Sequence, residues 1–376
     1  MKLLKHILLL SLVFALLACN KDSDHEPPKP CAQTVIVFMP WADMTTYFKR
    51  NISDFENFVN TGNLDNQRVI VCIAYNSKRA GVVELSQNRR DTLFNYENPD
   101  FTLEKDLSQM LTDVIAAAPA ERYALIIGGH GTGWLPNGAS LDKPKQLAKT
   151  RYFGGQKDGY QIEIRTLATA IQNSGRRMGY ILFDGCYMSN IETAYELKDV
   201  ADYIIGSPTE IMIDGFPYAD CAKYLFGNVD FDGLCRCFVD FYNNYSTPCG
   251  TIAVTDCRRL DDLAQTVRKI NLSQEFDEAA LSSTQKMDGY NPTVFYDFGD
   301  YFLHQCTDED LSAELLQQLE AAVPYKAHTE CYFSAVNGSH KINHYSGITI
   351  TAPTDVFIRL GLKETKWWRA TECFFQ

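Results

Sequence analysis

The stretch YILFDGCYMSN, residues 180–190, runs apolar through Phe183, meets an acid and a glycine, and sets a cysteine where the chain must turn. A buried cysteine ordinarily acts as a small apolar side chain inside a strand or helix. Cys186 instead follows Asp184 and Gly185, at the open end of a strand. Runs of the same kind recur at TVIVFM (34–39), RVIVCIAY (68–75), YALIIGGH (123–130), DYIIGS (202–207) and TIAVTD (251–256). Helix-length stretches lie between them at 45–60, 103–118, 165–175 and 189–201. Continuous apolar strands alternating with amphipathic helices predict an α/β fold, a mostly parallel sheet covered on both faces.

In such sheets a ligand sits beyond the carboxyl ends of the strands, near the point where strand order reverses. Two strands here end in reactive groups. YALIIGG runs into His130-Gly131-Thr132-Gly133-Trp134, and YILFDG runs into Cys186. Glycines permit tight turns and close backbone approach, so both side chains can stand at one edge of the sheet. Between them, residues 135–161 are polar, rich in Lys and Gly, and without periodicity; a loop this long inside a compact domain is usually functional or disordered. Past TIAVTD the pattern turns more helical and ends in a hairpin-like region, CYFSAVNG and SGITITAP. We therefore divide the chain at residues 257 and 258 into a main α/β domain over 34–257 and a smaller C-terminal helical/β subdomain over 258–376.

The 376 residues carry a formal charge of −12 and are 45% hydrophobic, which suits a globular chain and argues against nucleic-acid binding. The first residues differ from the rest. MKLLKH is basic, ILLLSLVFALLA is apolar, and the run ends in LLAC, the pattern of an export signal too short for a comfortable membrane span. LLAC resembles the lipobox of bacterial lipoproteins. That likeness implies a signal peptide over 1–18, acylation of Cys19, and a tether over 19–33 anchoring the protein to the outer membrane, facing either the cell surface or the periplasm; a monomer is the separate expectation for its oligomeric state. NKDSD resembles the surface-export tag of Bacteroidetes lipoproteins. Export permits disulfides, yet a domain of this size does not need them, and mostly free thiols are an equal expectation for the remaining cysteines.

A cysteine attacks carbonyl carbon as thiolate, so it needs a base or a positive environment. His130 is the natural supplier, with successive parallel strands bringing it beside Cys186. Ser189 and Asn190 can cap the next helix, whose N-terminus would favour the anion. The amides of Gly131 and of Cys186 itself are the expected oxyanion donors, worth roughly 3–4 kcal/mol each in acyl transfer.

Residues 125–134, LIIGGHGTGW, and 182–188, LFDGCYM, resemble the histidine and cysteine motifs of the clostripain family of cysteine peptidases, which share a fold with caspases, gingipains and legumain. The segments ETAYELKDVADYIIGS and DGFPY add to the likeness, which covers about residues 34–260, with weaker echoes in SGITITAP. The resemblance implies a caspase-like α/β/α sandwich, His130 as proton-transfer partner, Cys186 as nucleophile, and Asp184 and Asp214 as pocket acids for the residue before the scissile bond. Two carboxylates at a pocket base favour a cation, hence arginine or lysine. Glu210 could add to the pocket, but its sequence context favours a solvated loop charge. Family members are often zymogens cut between the histidine and the cysteine, where this chain carries Lys143, Lys145, Lys149 and Arg151; the alternative for these is a solvated basic loop. Some relatives need calcium, but the acids here form no EF-hand-like run, so no metal or other cofactor is expected.

The resulting expectation is an endopeptidase acting on proteins or peptides. Its competitors are an inactive, lipid-anchored module that holds a peptide in the same cleft, a zinc hydrolase using His130, Asp184 and Cys186, and a purely structural lipoprotein. One His, one Asp and one Cys are an unusual catalytic zinc set.

Overall fold

The computed structural model describes residues 29–62, 64–135, 153–155 and 157–371. Cys19, Lys143, Lys145, Lys149 and Arg151 lie outside the described residues. Every apolar run named above is a strand. In chain order the strands of the main sheet are β1 (Cys31–Met39), β2 (Gln67–Asn76), β3 (Arg79–Ser86), β4 (Arg89–Glu97), β5 (Ala120–Gly128), β6 (Met178–Asp184), β7 (Ala201–Gly206), β8 (Thr251–Asp256) and β9 (Tyr325–His328). They lie side by side as β9-β8-β7-β6-β5-β1-β2-β3-β4. The five from β2 to β7 through the centre are parallel, and the pairs at each edge are antiparallel.

The central strands are apolar along their middles because both their faces are covered there. Val35 to Met39 of β1 and Tyr180 to Phe183 of β6 are all buried. On one face lie α1 (Thr45–Asn60), α5 (Tyr218–Cys221) and α6 (Phe231–Asn243). The other face carries α2 (Glu104–Ala117), α3 (Ile164–Asn173) and α4 (Ile191–Leu197), joined by α7 (Leu260–Ser273), α8 (Phe298–Gln305) and α9 (Glu309–Ala322). This is the three-layer sandwich that the resemblance implies. The fourth helix is shorter than the 189–201 expected from its pattern, because Asn190 caps it and the chain turns at Lys198 to enter β7.

The β3–β4 hairpin went unread in the sequence. Its first strand is apolar and buried only over the short run 80–83, its second is mostly polar and half-exposed, and Asn88 turns them at φ +56°. A second difference concerns the C-terminal stretches. CYFSAVNG does begin a hairpin, with Cys331–Ser334 against Gly338–Lys341. SGITITAP does not join it. Its Thr349–Ile350 pairs with Tyr296–Asp297, and its backbone is drawn toward the turn after Cys186, where the Thr349 amide donates to the Ser189 carbonyl at 3.1 Å and the Ser189 hydroxyl to the Gly347 carbonyl at 2.8 Å.

The strand order reverses between β1 and β5. After β1 the chain moves outward to β2, then returns to the other flank of β1 as β5 and continues through β6 and β7. The carboxyl ends of β5 and β6 therefore open beside the switch point, the place a doubly wound sheet offers a ligand.

Candidate active site

His130 and Cys186 stand just past the ends of the neighbouring strands β5 and β6, which are in register at Gly128 and Asp184. The two turns are in contact. The Gly129 amide donates to the Asp184 carbonyl at 3.1 Å, and a Cβ on Gly131 would lie 2.3 Å from the carbonyl oxygen of Cys186. Only glycine permits that approach. On its outer side His130 exchanges two backbone hydrogen bonds with Gly154, at 2.8 and 3.0 Å. Gly154 has φ +136°, and a Cβ there would lie 2.0 Å from the Tyr160 carbonyl oxygen. The two-residue ladder of Phe153–Gly154 with Gln161–Ile162 thus fixes the histidine's backbone from the side opposite the cysteine.

The turn carrying the sulfur is strained. Tyr187 is left-handed at φ +60°, a conformation that disfavours a bulky side chain and persists only where the surroundings impose it. Its amide donates to the Thr209 carbonyl at 3.0 Å, its ring stacks on Phe295 with centroids 5.0 Å apart, and its hydroxyl donates to Glu210 at 2.8 Å. Glu210 also accepts from the Ser334 hydroxyl at 2.9 Å and the Ala335 amide at 3.0 Å. It is not the solvated loop charge its sequence context suggests. It ties the cysteine turn to the C-terminal hairpin. Trp134, four residues beyond His130, donates to the Thr351 hydroxyl at 2.7 Å, so the segment that braces one turn braces the other.

Although Cys186 as a residue keeps some exposure, protein surrounds its sulfur, which accepts from the Ile211 amide at 3.3 Å. Burial, and then the charge of Glu210, push the thiol up to about 12, against the opposing pull of the Ile211 amide. Burial likewise holds His130 below the ordinary imidazole value, and the charge of Asp43 pulls the other way. Nε2 of His130 is buried without a hydrogen-bond partner. In this arrangement both groups are neutral. The acidifying helix end expected from Ser189 and Asn190 does not prevail: Asn190 does cap α4, accepting from the Thr193 amide at 2.8 Å, but desolvation of the sulfur outweighs a helix of seven residues.

The acids sit on the same rim. Asp184, the last residue of β6, is 6% exposed; it accepts from the Phe216 amide at 2.8 Å and from the Asn51 side chain at 3.1 Å. The buried Tyr218 hydroxyl lies beside it, short of hydrogen-bonding geometry. Burial pushes this carboxyl up to about 6. Asp214 accepts from the Arg50 guanidinium and from the Tyr245 hydroxyl. A single loop after β7 therefore carries Ile211 to the sulfur, Asp214 to Arg50 and Phe216 to Asp184. Tyr242 lies near Cys186, Asp184 and Asp214 together, and its hydroxyl braces the loop at the Gly215 carbonyl, 2.7 Å away.

The amides of Gly131 and Cys186 make no hydrogen bond to other described residues, and that of Cys186 is turned toward its own sulfur. Among the described residues no group of three or more His, Cys, Asp or Glu is placed to hold a metal ion, so His130, Asp184 and Cys186 form no zinc set. Sequence reasoning missed Asp43, Arg50, Asn51 and Tyr187. A signal existed for Asp43, since β1 ends at the same sheet edge and its PWAD turn reaches the histidine's side. For Arg50 and Asn51, on the surface helix after β1, no local signal exists.

The clostripain family model, Peptidase C11, matches residues 38–348. Among solved structures, a secreted C11 cysteine protease from Bacteroides thetaiotaomicron, iotapain, is 45% identical with a TM-score of 0.86, covering 92% of this chain and 100% of its own. A clostripain from the same organism, in complex with the peptide inhibitor BTN-VLTK-AOMK, is 51% identical with a TM-score of 0.57 over 58% of this chain and 99% of its own. An inactive zymogen C11 protease from Parabacteroides distasonis is 27% identical with a TM-score of 0.77, over 92% and 99%. No curated protein matches the chain.

Proposed function

This chain belongs to the clostripain family of cysteine proteases, and from that premise we propose that it is an endopeptidase cleaving after arginine or lysine through His130 and Cys186. The observation that carries the reading is the pair of touching turns at the ends of β5 and β6, with the loop bearing Asp214 bonded to the sulfur. His130 takes the thiol proton, and the thiolate attacks the scissile carbonyl carbon. The Gly131 and Cys186 amides receive the oxyanion, and the imidazolium returns the proton to the leaving amine. Water, deprotonated by the same imidazole, then releases the acyl group.

Asp184 and Asp214 supply the pocket for the basic residue. Asp184 lies in the interior, where a cation in contact would favour its ionised form. In the inhibitor carried by the 51% identical relative, lysine adjoins the AOMK group, which supports a basic preference.

A neutral thiol and a neutral imidazole on touching turns suit a latent enzyme. We propose that cleavage in the segment holding Lys143, Lys145, Lys149 and Arg151 activates it; the relative described as an inactive zymogen supports this. The same proposal keeps the export signal, the lipid on Cys19, a surface or periplasmic location, a monomeric state, no obligatory metal, and a division near residue 258. That the 45% identical relative is described as secreted supports export.

The test is a fluorogenic peptide panel with Arg, Lys, Asp or Asn at the cleaved position, run on the wild type and Cys186→Ala. Hydrolysis of the Arg and Lys peptides, lost in the variant, is expected. Preference for Asp or Asn would overturn the acidic pocket, and undiminished activity in the variant would overturn the nucleophile. Intact single bands from both proteins would remove self-processing.

A further inference from the structure

The two pocket acids are not equivalent, and the difference lies in consecutive residues of α1. Asn51 faces inward and donates to Asp184, while Arg50 points away from the buried face and pairs with Asp214. The helix itself is anchored. Phe48, Ile52, Phe55 and Val59 are buried, and the Phe55 ring meets Tyr218 with centroids 4.6 Å apart. The Arg50 side chain, in contrast, is 54% exposed and has solvent to swing into. Asp214 would not follow it, because the Tyr245 hydroxyl holds the other carboxylate oxygen.

We infer that Arg50 is a resident stand-in for the substrate's basic side chain, a gate that an incoming arginine or lysine must displace from Asp214. The inference rests on the basic-pocket reading above and adds to it a specificity element from a different layer of the fold. A planar guanidinium matches a carboxylate geometrically, so the internal ligand has the same chemistry as the expected external one. An exposed pair of this kind is weak, so displacement is cheap for a cation and unavailable to a neutral side chain. Arg50 thereby keeps Asp214 neutralised until a competing cation arrives.

The experiment titrates agmatine, a free guanidinium ligand, by calorimetry into the wild type, Arg50→Ala, Arg50→Lys, Asp214→Asn and the Arg50→Ala/Asp214→Asn double variant. KM is measured alongside for peptides with Arg or Gln at the cleaved position. Arg50→Ala is expected to tighten agmatine binding and lower KM for the Arg peptide by roughly two- to fivefold, the worth of an exposed ion pair. The Gln peptide gains nothing, Arg50→Lys stays near the wild type, and Arg50→Ala has no effect once Asp214 is Asn. Unchanged or weaker agmatine binding in Arg50→Ala overturns the gate, as does an equal gain without the Asp214 carboxylate. If agmatine binds none of the proteins and no Arg or Lys preference exists, the basic pocket itself falls. If agmatine binds all of them without regard to Arg50, only the gate does.

Discussion

The Cys186 sulfur is kept from ionising by the enclosing protein, by the carboxylate of Glu210 and, more weakly, by that of Asp184. The second can be removed with little change of shape. Glu210→Gln retains an oxygen for the Tyr187 and Ser334 hydroxyls while deleting the charge, so the thiol should ionise more readily. Alkylation by iodoacetamide at fixed pH is expected to speed up by roughly three- to tenfold, half to one pH unit of thiol acidity. An unchanged rate would show that the charge of Glu210 does not set it. On the histidine side, Asp43 is the group whose charge opposes burial. One of its oxygens is buried without a partner, and the other accepts from the Lys157 amide at 2.9 Å. Asp43→Asn removes that support. It is expected to lower kcat/KM by roughly tenfold and to move the acid limb of the pH profile downward, because the imidazole becomes a weaker base. A fall in rate with the limb unmoved would mean Asp43 only shapes the turn.

At the scale of elements, the strained turn after the sulfur is held by the helix that follows it. The Asn190 side chain accepts from the Thr193 amide and donates to the Tyr187 carbonyl at 2.7 Å, coupling the cap of α4 to the left-handed residue. Asn190→Ala is expected to cost about 1 kcal/mol in urea denaturation, the usual loss for a cap, with a larger proportional loss of activity because Tyr187 relaxes. On the opposite face, α5 and α6 back the Asp214 loop, and their Cys221 and Cys237 sulfurs are 2.8 Å apart. The two thiols hydrogen-bond to each other, and Cys237 is the more exposed of the pair and so the one an oxidant reaches first. With oxidised glutathione as oxidant, these two thiols are expected to disappear together from an Ellman titration as one disulfide forms and glutathione is reduced. Cys237→Ser should abolish that paired loss; if it does not, other cysteines are responsible.

The molecule as a whole buries several carboxyls at cost. Asp184 is pushed up to about 6, Asp288 to about 7 and Glu192 to about 8, burial being the first cause in each. Asp288 is met by three amides, from Tyr290, Val294 and Phe295. Glu192 has one, from Thr351 at 2.9 Å, and its other oxygen has no partner. The unfolded chain releases these protons near pH 4, whereas the folded chain keeps them until about pH 6 to 8. Across that window the folded state binds more protons, so stability falls as pH rises. His130, held low, works oppositely only below its ordinary value near 6.5. The urea midpoint is therefore expected to drop between about pH 6.5 and about pH 8.5, and Glu192→Gln should flatten the drop. A midpoint that rises over this range would contradict the burial of these groups.

The sequence by itself determined the parallel centre of the sheet with β8, the four helices read between those strands, and the two chemical turns, but not the edge strands β3, β4 and β9. Apolar runs, their breakers and the glycines that follow them are local signals, and a parallel sheet leaves no other way to bury such runs. It marked His130 and Cys186 because each follows a strand end, and it offered Asp184 and Asp214 only through the family resemblance of the motifs around them. Only the tertiary structure decided their ionisation and their partners. Arg50 and Asp214 are 164 residues apart, and Glu210 and Ser334 are 124 apart. Charges and hydrogen bonds between segments so distant impose no periodicity and need no particular neighbour in the chain. They exist because packing brings the segments together, and that same packing removes water from the sulfur and so leaves it neutral.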